Sequence, residues 1–246
     1  MAVSNIKEAA EAIKRSKFAV AFTGAGVSVE SGIPAFRGEG GLWQKYDSNV
    51  LSLSTFYRNP AKAWVDIKKI FYDFFGQASP NPAHKVLAQW ENNGIIHAVI
   101  TQNIDNLHQE AGSKQVIEFH GTCSNMVCIS CGKKHRSSSV NLNDLPPRCS
   151  CGGVLKPDFV FFEEGIPEDA YKKSFDFAEK ADLVVIIGTT GEVSPANYIP
   201  QIAKRHGATI LEINPKPSLY TSSITDIYIC EKAGKALLEI QKELEL

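Results

Sequence analysis

The chain has 246 residues, 43% of them hydrophobic, which is enough to bury one large core or a large core with a smaller satellite domain. Its formal net charge is −1 and Lys and Arg are spread along the chain, so nothing indicates direct binding to nucleic acid or to an anionic membrane. No apolar run reaches the length of a membrane span, and the N-terminal residues have the spacing of an amphipathic helix rather than a signal peptide. These features predict a cytoplasmic protein.

A glycine-rich turn follows the apolar run at residues 18–22. Gly24 and Gly26 allow close backbone approach, and the amides after them offer hydrogen-bond donors to a phosphate. The third glycine of a dinucleotide fingerprint would fall at Val29, and no strand ending in Asp or Glu follows about twenty residues later, so the dehydrogenase pattern is incomplete. Because Gly and Pro interrupt residues 31–38, we expect a loop rather than a helix to cover any bound nucleotide.

Three further apolar segments have the character of strands buried on both faces: residues 95–101, 183–187 and 209–213. Each follows helix-like sequence, and this alternation predicts an α/β fold with a doubly wound, Rossmann-like parallel sheet. Ligands of such sheets bind at the carboxyl ends of the strands, which carry polar residues at 24–26, 101–105, 188–192 and 214–215. We expect a binding site where these ends meet.

Two segments interrupt the alternation. Residues 40–78 are helix-like and rich in aromatic side chains, and residues 121–155 contain five of the six cysteines. We interpret them as a helical insertion and a zinc-ribbon module that together form a second, smaller domain. The Rossmann-like domain then comprises residues 1–39, 79–120 and 156–246.

Four cysteines occur as two close pairs with seventeen residues between the pairs: Cys128, Cys131, Cys149 and Cys151. This spacing is typical of a zinc ribbon, and a disulfide framework is the weaker alternative because the cytosol keeps thiols reduced. Four sulfur ligands leave no open coordination position, so the predicted Zn²⁺ is structural. We interpret Cys123, Cys230 and His135 as bystanders, although His135 could replace one cysteine ligand.

Several segments in chain order carry a joint resemblance to a known family. They are GAGVSVESGIPAFRG at 24–38, TQNIDNLH at 101–108, His120-Gly121, the four cysteines, KPDFVFF at 156–162, GTTGEVSPA at 188–196, EINP at 212–215 and KAG at 232–234. Each alone is weak, since short motifs also occur by chance. Together they resemble the sirtuins, NAD-dependent protein lysine deacylases, over nearly the whole chain.

The resemblance implies that NAD lies between the Rossmann-like domain and the zinc domain, and that the acyl oxygen of a modified lysine attacks C1′ of the nicotinamide ribose. Nicotinamide leaves, an O-alkylimidate forms, and the products are free lysine and O-acyl-ADP-ribose. Acylated-lysine proteins or peptides are the implied substrates. Collapse of the imidate needs a base with a pKa suited to neutral pH, and His120 is the family's base. We interpret His108 as structural.

By the same resemblance, Asn103 positions the ribose and a water molecule, Asp105 accepts from the nicotinamide carboxamide, and Asn214 reaches the adenine ribose. Phe36 and Arg37 belong to a mobile loop that excludes water from the nicotinamide. The full set of implied NAD contacts is Gly24, Ala25, Ser28, Phe36, Arg37, Gln102, Asn103, Asp105, Gly188, Thr189, Thr190, Asn214, Lys232 and Ala233.

A substrate peptide would add a strand between the two domains near residue 165 and the loop at 191–194. The implied substrate contacts are Val160, Phe162, Glu164, Gly165 and Val193, whose apolar members line a tunnel around the lysine stem. The sequence departs from the family pattern at Glu163, where sirtuins usually carry glycine, and at Gly191 and Glu192, which replace apolar residues. We hypothesise that Glu163 and Glu192 select basic residues beside the acylated lysine.

The helical insertion bears on the choice of acyl group. Sirtuins that prefer negatively charged acyl groups carry a Tyr and an Arg three residues apart there, and the matching positions in this chain are Ile67 and Ile70. Two isoleucines one turn apart would remove water from a carboxylate without replacing it, so we expect acetyl and longer apolar acyl groups over succinyl. Lys68 and Lys69 could serve an anion only if the alignment slips by one residue.

Two other functions are compatible with parts of the sequence. An NAD-dependent protein ADP-ribosyltransferase would use the same activated C1′, and a non-catalytic NAD or ADP-ribose sensing module would need no catalytic side chains. His120 and the apolar tunnel favour deacylation over transfer, and the joint presence of Asn103, Asp105 and His120 argues against a sensor. The sequence leaves the oligomeric state unknown.

Overall fold

The computed structural model describes residues 2–36, 41–74 and 78–245, and its central element is a six-stranded parallel sheet. The strands of the chain are β1 (Ala19–Thr23), β2 (Ile96–Thr101), β3 (Val116–Glu118), β4 (Gly121–Cys128), β5 (Lys134–Arg136), β6 (Leu155–Phe159), β7 (Leu183–Ile187), β8 (Thr209–Ile213) and β9 (Ile227–Ile229). The large sheet has the order β3-β2-β1-β7-β8-β9 with all neighbours parallel. This is a doubly wound order whose direction reverses between β1 and β7.

Apolar side chains fill the central strands because helices cover both faces of the sheet. Every residue of β1 and of β7 is buried, as expected for parallel strands with no solvent-facing side. The strands predicted at 95–101, 183–187 and 209–213 are confirmed as β2, β7 and β8. The edge strands β3 and β9 were not predicted, because each has only three residues and too few side chains to establish a period.

The helices are α1 (Ala2–Arg15), α2 (Leu42–Lys45), α3 (Leu53–Arg58), α4 (Pro60–Ile67), α5 (Pro82–Asn92), α6 (Leu107–Glu110), α7 (Glu168–Lys180), α8 (Tyr198–Arg205) and α9 (Ala233–Glu243). Apolar residues of α1, α5 and α9 pack together in one cluster against the large sheet, and those of α7 and α8 pack in a second one. Both faces of the sheet are therefore covered. None of the described helices is long and apolar enough to cross a membrane.

A smaller antiparallel sheet, of order β5-β4-β6, packs with the helical insertion. Helices α2 to α4, together with a π-helix at Lys68–Phe74, share a third apolar cluster with β4 and β6. The indole N–H of Trp64 donates to Leu155 O at 2.8 Å and ties α4 to β6. Strand β6 pairs with β4, so the small sheet extends to Phe159, past the predicted domain boundary at residue 155. The predicted fold class, a Rossmann-like sheet with a smaller ribbon-and-helix domain, is confirmed.

The turn after β1 lies directly against the turn after β7. The amide of Gly24 donates to Ile187 O at 3.0 Å and that of Gly26 to Gly188 O at 2.8 Å. A Cβ atom on Gly26 would lie 2.6 Å from the Cα of Gly188, which itself has a φ of +63°. Both glycines are thus required by this contact. The chain continues as a short 3-10 helix (Ala25–Ser31), and residues 33–36 form no regular element, in line with the predicted loop.

Candidate active site

A cavity of about 1090 Å³ opens at the carboxyl ends of β1, β2, β7 and β8 and also contacts β6 and the helical insertion. Ser28 and Asp105 are not among the described residues that line it, and Arg37 lies outside the described residues. The predicted site residues that do line it are Gly24, Ala25, Phe36, Gln102, Asn103, His120, Val160, Phe162, Glu164, Gly165, Gly188, Thr189, Thr190, Val193, Asn214, Lys232 and Ala233. Residues from distant parts of the chain therefore share one cavity.

A buried polar cluster lies next to Asn103 at the end of β2. The Ser28 hydroxyl donates to Asp105 Oδ2 at 2.7 Å and accepts from Asn103 Nδ2 at 3.1 Å. His84 Nε2 lies 3.5 Å from the same hydroxyl oxygen, and the backbone amide of Asn81 is 3.3 Å from His84 Nδ1. An amide can only donate, so Nδ1 accepts and Nε2 carries the proton of a neutral ring. Burial lowers the pKa of His84 to about 4, which agrees with this neutral form.

Asp105 receives its hydrogen bonds within this cluster. The amide of Leu107 donates to Asp105 Oδ1 at 3.1 Å, in addition to the Ser28 hydroxyl on Oδ2. Burial raises the pKa of the Asp105 carboxyl, while these hydrogen bonds lower it. His108 is also buried, with Nε2 3.0 Å from Thr23 Oγ1 and its ring against His84. Ser28 thus bridges the side chains of Asp105 and Asn103.

His120 lies between β3 and β4 in the chain and lines the cavity. Its Nδ1 lies 3.1 Å from the carbonyl oxygen of Gln102. A carbonyl only accepts, so Nδ1 carries the proton and Nε2 keeps a free lone pair. Burial lowers the pKa of His120 below its ordinary value of 6.5, and the bond to Gln102 works in the opposite direction. The ring is therefore neutral at pH 7 and able to accept a proton.

The backbone around His120 is fixed from two sides. Val160 N donates to His120 O at 2.8 Å, which joins the start of β4 to the segment after β6. Gly121 has a φ of +72°, and a Cβ atom there would lie 2.3 Å from Asp158 O. Only glycine permits this approach. The position of the imidazole thus depends on the packing of β4 on β6.

Asn214, at the end of β8, offers an acceptor to the cavity. Its Nδ2 donates to Thr189 O at 2.8 Å and to Glu212 Oε1 at 3.3 Å, so both amide hydrogens are engaged and Oδ1 is left for a ligand hydroxyl. The buried Glu212 carboxylate also accepts from Thr221 Oγ1 at 2.8 Å and from Thr225 Oγ1 at 2.7 Å. Three neutral donors thus satisfy a buried charge and fix the amide of Asn214.

The opposite side of the cavity is formed by the small sheet and the helical insertion. Glu164 lines it, but its Oε2 is bound by Lys156 Nζ at 2.9 Å and by Phe161 N at 2.8 Å. Ile67 and Ile70 are fully buried in the core of the insertion and are not among the described lining residues. They support the cavity wall from behind.

The lining residues that the sequence did not reveal include Glu30, Leu51 and Tyr171. The carboxylate of Glu30 accepts from Gly234 N at 2.7 Å and joins the 3-10 helix to the start of α9. The two partners lie far apart in the sequence, in the separate motifs at 24–38 and 232–234. No local pattern could have revealed this contact.

The four cysteine sulfurs form a compact group whose ligand atoms all lie within 4.8 Å of one another. The distance is 3.5 Å from Cys128 to Cys151, 3.5 Å from Cys151 to Cys131, and 3.8 Å from Cys131 to Cys149. A tetrahedron with Zn–S bonds of about 2.3 Å requires S···S distances of about 3.8 Å. The sulfurs are therefore placed to bind a zinc ion. His135 lies outside the group of four, although its Nε2 is 3.3 Å from Cys149 Sγ.

The fold and the site define a dinucleotide-binding type of α/β protein with a four-cysteine metal site. A model of the Sir2 family matches residues 24–195. The NAD-dependent protein deacylase of Thermococcus kodakarensis is 42% identical over 245 residues, covering 96% of this chain and 95% of the relative. The NAD-dependent protein deacylase of Pyrococcus furiosus is 45% identical over 248 residues, which cover 96% of this chain and 97% of the relative. The chain belongs to the Sir2 family.

Solved structures agree with this assignment. A structure from work on the mechanism and regulation of Sir2 enzymes has a TM-score of 0.90 at 42% identity, with 98% of each chain covered. A Sir2 structure with a p53 peptide and NAD⁺ has a TM-score of 0.90 at 35% identity, covering 97% of this chain and 98% of the other. A Sir2 structure bound to a propionylated peptide has a TM-score of 0.89 at 34% identity, covering the same shares.

We predict that the Cys131→Ser variant loses zinc and stability. Removal of one of four thiolates opens the tetrahedron, and metal binding contributes directly to the folding of such modules. Elemental analysis should find one zinc ion per wild-type chain and much less in the variant, with a lower Tm. The matched control is Cys230→Ser, since Cys230 lies outside the four-cysteine group and should leave the zinc content unchanged. Equal zinc in both variants would contradict the assignment.

Proposed function

We propose that this chain is an NAD-dependent protein lysine deacylase that gives nicotinamide, O-acyl-ADP-ribose and free lysine. The single observation that carries the proposal is the neutral His120 ring with a free Nε2. This ring lines a cavity that has the strand ends on one side and the apolar side chains of Val160 and Phe162 on the other. Relatives in the family support it, since those of Thermococcus kodakarensis and Pyrococcus furiosus are NAD-dependent protein deacylases. A sensing module would not need a prepared base in this place.

The strand-end side of the cavity fits NAD. The glycine contact between the two turns brings backbone against backbone at the ends of β1 and β7, which suits close approach of a pyrophosphate. Thr189, Thr190 and Asn214 add polar groups along the same edge. When bound, NAD would supply a C1′–nicotinamide bond that breaks to release nicotinamide, and a ribose oxygen would take up the acyl group.

The side chains of the cavity divide the remaining work. Asn103, held by Ser28, orients the ribose and a water molecule, and Asp105 fixes that arrangement through the same serine. His120 accepts a proton at Nε2 from a hydroxyl group, and its Nδ1–H stays on Gln102 O throughout. Gln102 also donates from Nε2 to Thr189 Oγ1 at 3.1 Å, so the base and the cofactor edge are linked.

The substrate is an acylated lysine in a protein or peptide. We propose that the peptide lies near Gly165 and Val193, and that Val160 and Phe162 surround the lysine stem. Sir2 structures with a p53 peptide and with a propionylated peptide support this class of substrate. The cavity would then lie between a Rossmann-like domain (1–39, 79–120 and 156–246) and a small domain (40–78 and 121–155), in which zinc has a structural role.

We propose that the acyl end of the channel prefers apolar groups. Leu51, Ile104 and Phe161 line the cavity on that side, and Ile67 and Ile70 pack behind it. The nearby lysines are engaged elsewhere: Lys68 Nζ lies 2.7 Å from Asp73, and Lys69 Nζ lies over the ring of Tyr46. Neither Lys68 nor Lys69 is among the described residues that line the cavity.

The deciding test is mass-spectrometric product analysis with NAD and an acetyl-lysine peptide. Wild type should give deacylated peptide and O-acyl-ADP-ribose, and His120→Ala should be slower by about 100-fold or more, the usual loss when a general base is removed. His97→Ala is the control, because His97 is exposed at the other end of β2. ADP-ribose attached to protein without an acylated substrate would favour transfer, and no turnover at all would favour a sensing module.

The pH profile should report on His120. Only the neutral ring accepts a proton, and burial lowers the pKa of His120, so kcat/KM should fall only as the pH drops below 6.5. Steady-state rates between pH 5 and pH 8 measure this acid limb, and the residual activity of His120→Asn should lack it. An acid limb centred above pH 6.5 would contradict the assignment of a buried, neutral base.

Acyl preference can be measured on matched peptides. We expect kcat/KM for acetyl and butyryl lysine to exceed that for succinyl lysine by about tenfold or more, because a carboxylate would lose its water against apolar groups. The Lys68→Ala and Lys69→Ala variants should leave the ratio unchanged. Faster removal of succinyl than of acetyl, or a selective loss of succinyl activity in either lysine variant, would show that an anion site exists.

A further inference from the structure

Glu163 has a backbone conformation that L residues rarely adopt. Its φ is +77°, in the region that favours glycine. A residue with a side chain persists there only when surrounding contacts hold it. Glycine would satisfy the backbone alone, so the presence of glutamate calls for a contact made by its side chain.

The carboxylate of Glu163 makes such contacts with the helical insertion. Oε1 accepts from Ser52 Oγ at 2.9 Å and from Ser54 Oγ at 3.2 Å, and Oε2 accepts from the backbone amide of Ser54 at 3.1 Å. Ser52 directly precedes α3 and Ser54 lies in its first turn. These hydrogen bonds hold the pKa of the Glu163 carboxyl below its usual value. Both oxygens are thus directed to the insertion.

The backbone beside Glu163 joins the same two segments. Leu53 N donates to Phe162 O at 3.1 Å and Phe162 N donates to Leu51 O at 2.8 Å, which forms a short parallel bridge. A hydrogen bond from Phe161 N to Glu164 Oε2, at 2.8 Å, also holds residues 161–164 in a turn. Leu51 and Phe162 both line the cavity. The position of two cavity-lining side chains therefore depends on this bridge, which Glu163 reinforces.

We propose that Glu163 is a positioning residue that fastens the helical insertion to residues 161–163 and so holds Leu51 and Phe162 around the acylated lysine. The proposal rests on the proposed deacylase function. It differs from the hypothesis that Glu163 selects basic residues of the substrate: Glu163 lines the cavity, and three donors of the protein itself already bind its carboxylate oxygens. Glu163 acts on the substrate through Leu51 and Phe162.

The test compares Glu163→Gly, Glu163→Gln and the double variant Ser52→Ala/Ser54→Ala in steady-state deacylation. In Glu163→Gly the KM for the acylated peptide should rise by about five- to tenfold, as expected for the loss of charge-assisted hydrogen bonds, with the KM for NAD changed less than about twofold. Glu163→Gln keeps one acceptor oxygen and should show a smaller rise. Glu168→Gln, which removes an exposed carboxylate from the start of α7, is the control and should match wild type.

Two readouts separate positioning from other roles. The triple variant Glu163→Gly/Ser52→Ala/Ser54→Ala should be no worse than Glu163→Gly, because all three side chains act through one contact. The rise in KM should also be equal for peptides with Lys or with Asp beside the acylated lysine. A rise confined to the Lys peptide, an unchanged KM for peptide, or an equal rise in the KM for NAD would overturn the proposal.

Failure of the proposed function is seen separately, as absence of deacylation by wild type. If Glu163→Gly does not fold, Glu163→Gln and the double serine variant still decide the question. Glu163→Gln keeps a side chain of the same shape, and the double serine variant leaves residue 163 unchanged. Thermal unfolding of each variant verifies that a change in KM comes from a folded protein.

Discussion

The contact between the turns that follow β1 and β7 is the constraint on which the rest of the site depends. The winding of the sheet reverses between these strands, so their connections leave toward opposite faces and a cavity opens at the strand ends. Gly26 and Gly188 close the floor of this gap by direct backbone contact, and neither has room for a Cβ atom. The cavity thus follows from the topology, and the two glycines allow the turns to meet at its base.

The direction of hydrogen bonds, more than net charge, determines which atoms can react. His84 is buried and His120 is half-buried, and desolvation lowers the pKa of both, yet their tautomers differ. The backbone amide of Asn81 can only donate, so His84 accepts at Nδ1 and keeps its proton on Nε2. The carbonyl of Gln102 can only accept, so His120 keeps its proton on Nδ1 and offers Nε2 as a base. One ring supports a polar cluster, and the other is free for chemistry.

Much of the fold could be predicted from the sequence because its signals are local. The strands β2, β7 and β8 are continuous apolar runs, and the cysteine spacing predicted a group of four sulfurs. Side-chain direction could not be predicted, because it depends on contacts between distant segments. Ser28 was expected to contact NAD, and the sequence did not reveal that its hydroxyl donates to Asp105. Ile67 and Ile70 were expected to form an apolar wall, and they lie in the core of the insertion behind it.

The two sides of the cavity are held by different kinds of contact. On the sheet side, backbone meets backbone, and a side chain added at Gly26 or Gly188 would collide with main-chain atoms that cannot move independently. On the side of the insertion, side chains such as Glu163 and Trp64 reach across to main-chain and hydroxyl groups. A contact of the second kind can be exchanged by one substitution without moving the sheet. The architecture therefore permits the side formed by the helical insertion to change while the side formed by the large sheet stays the same.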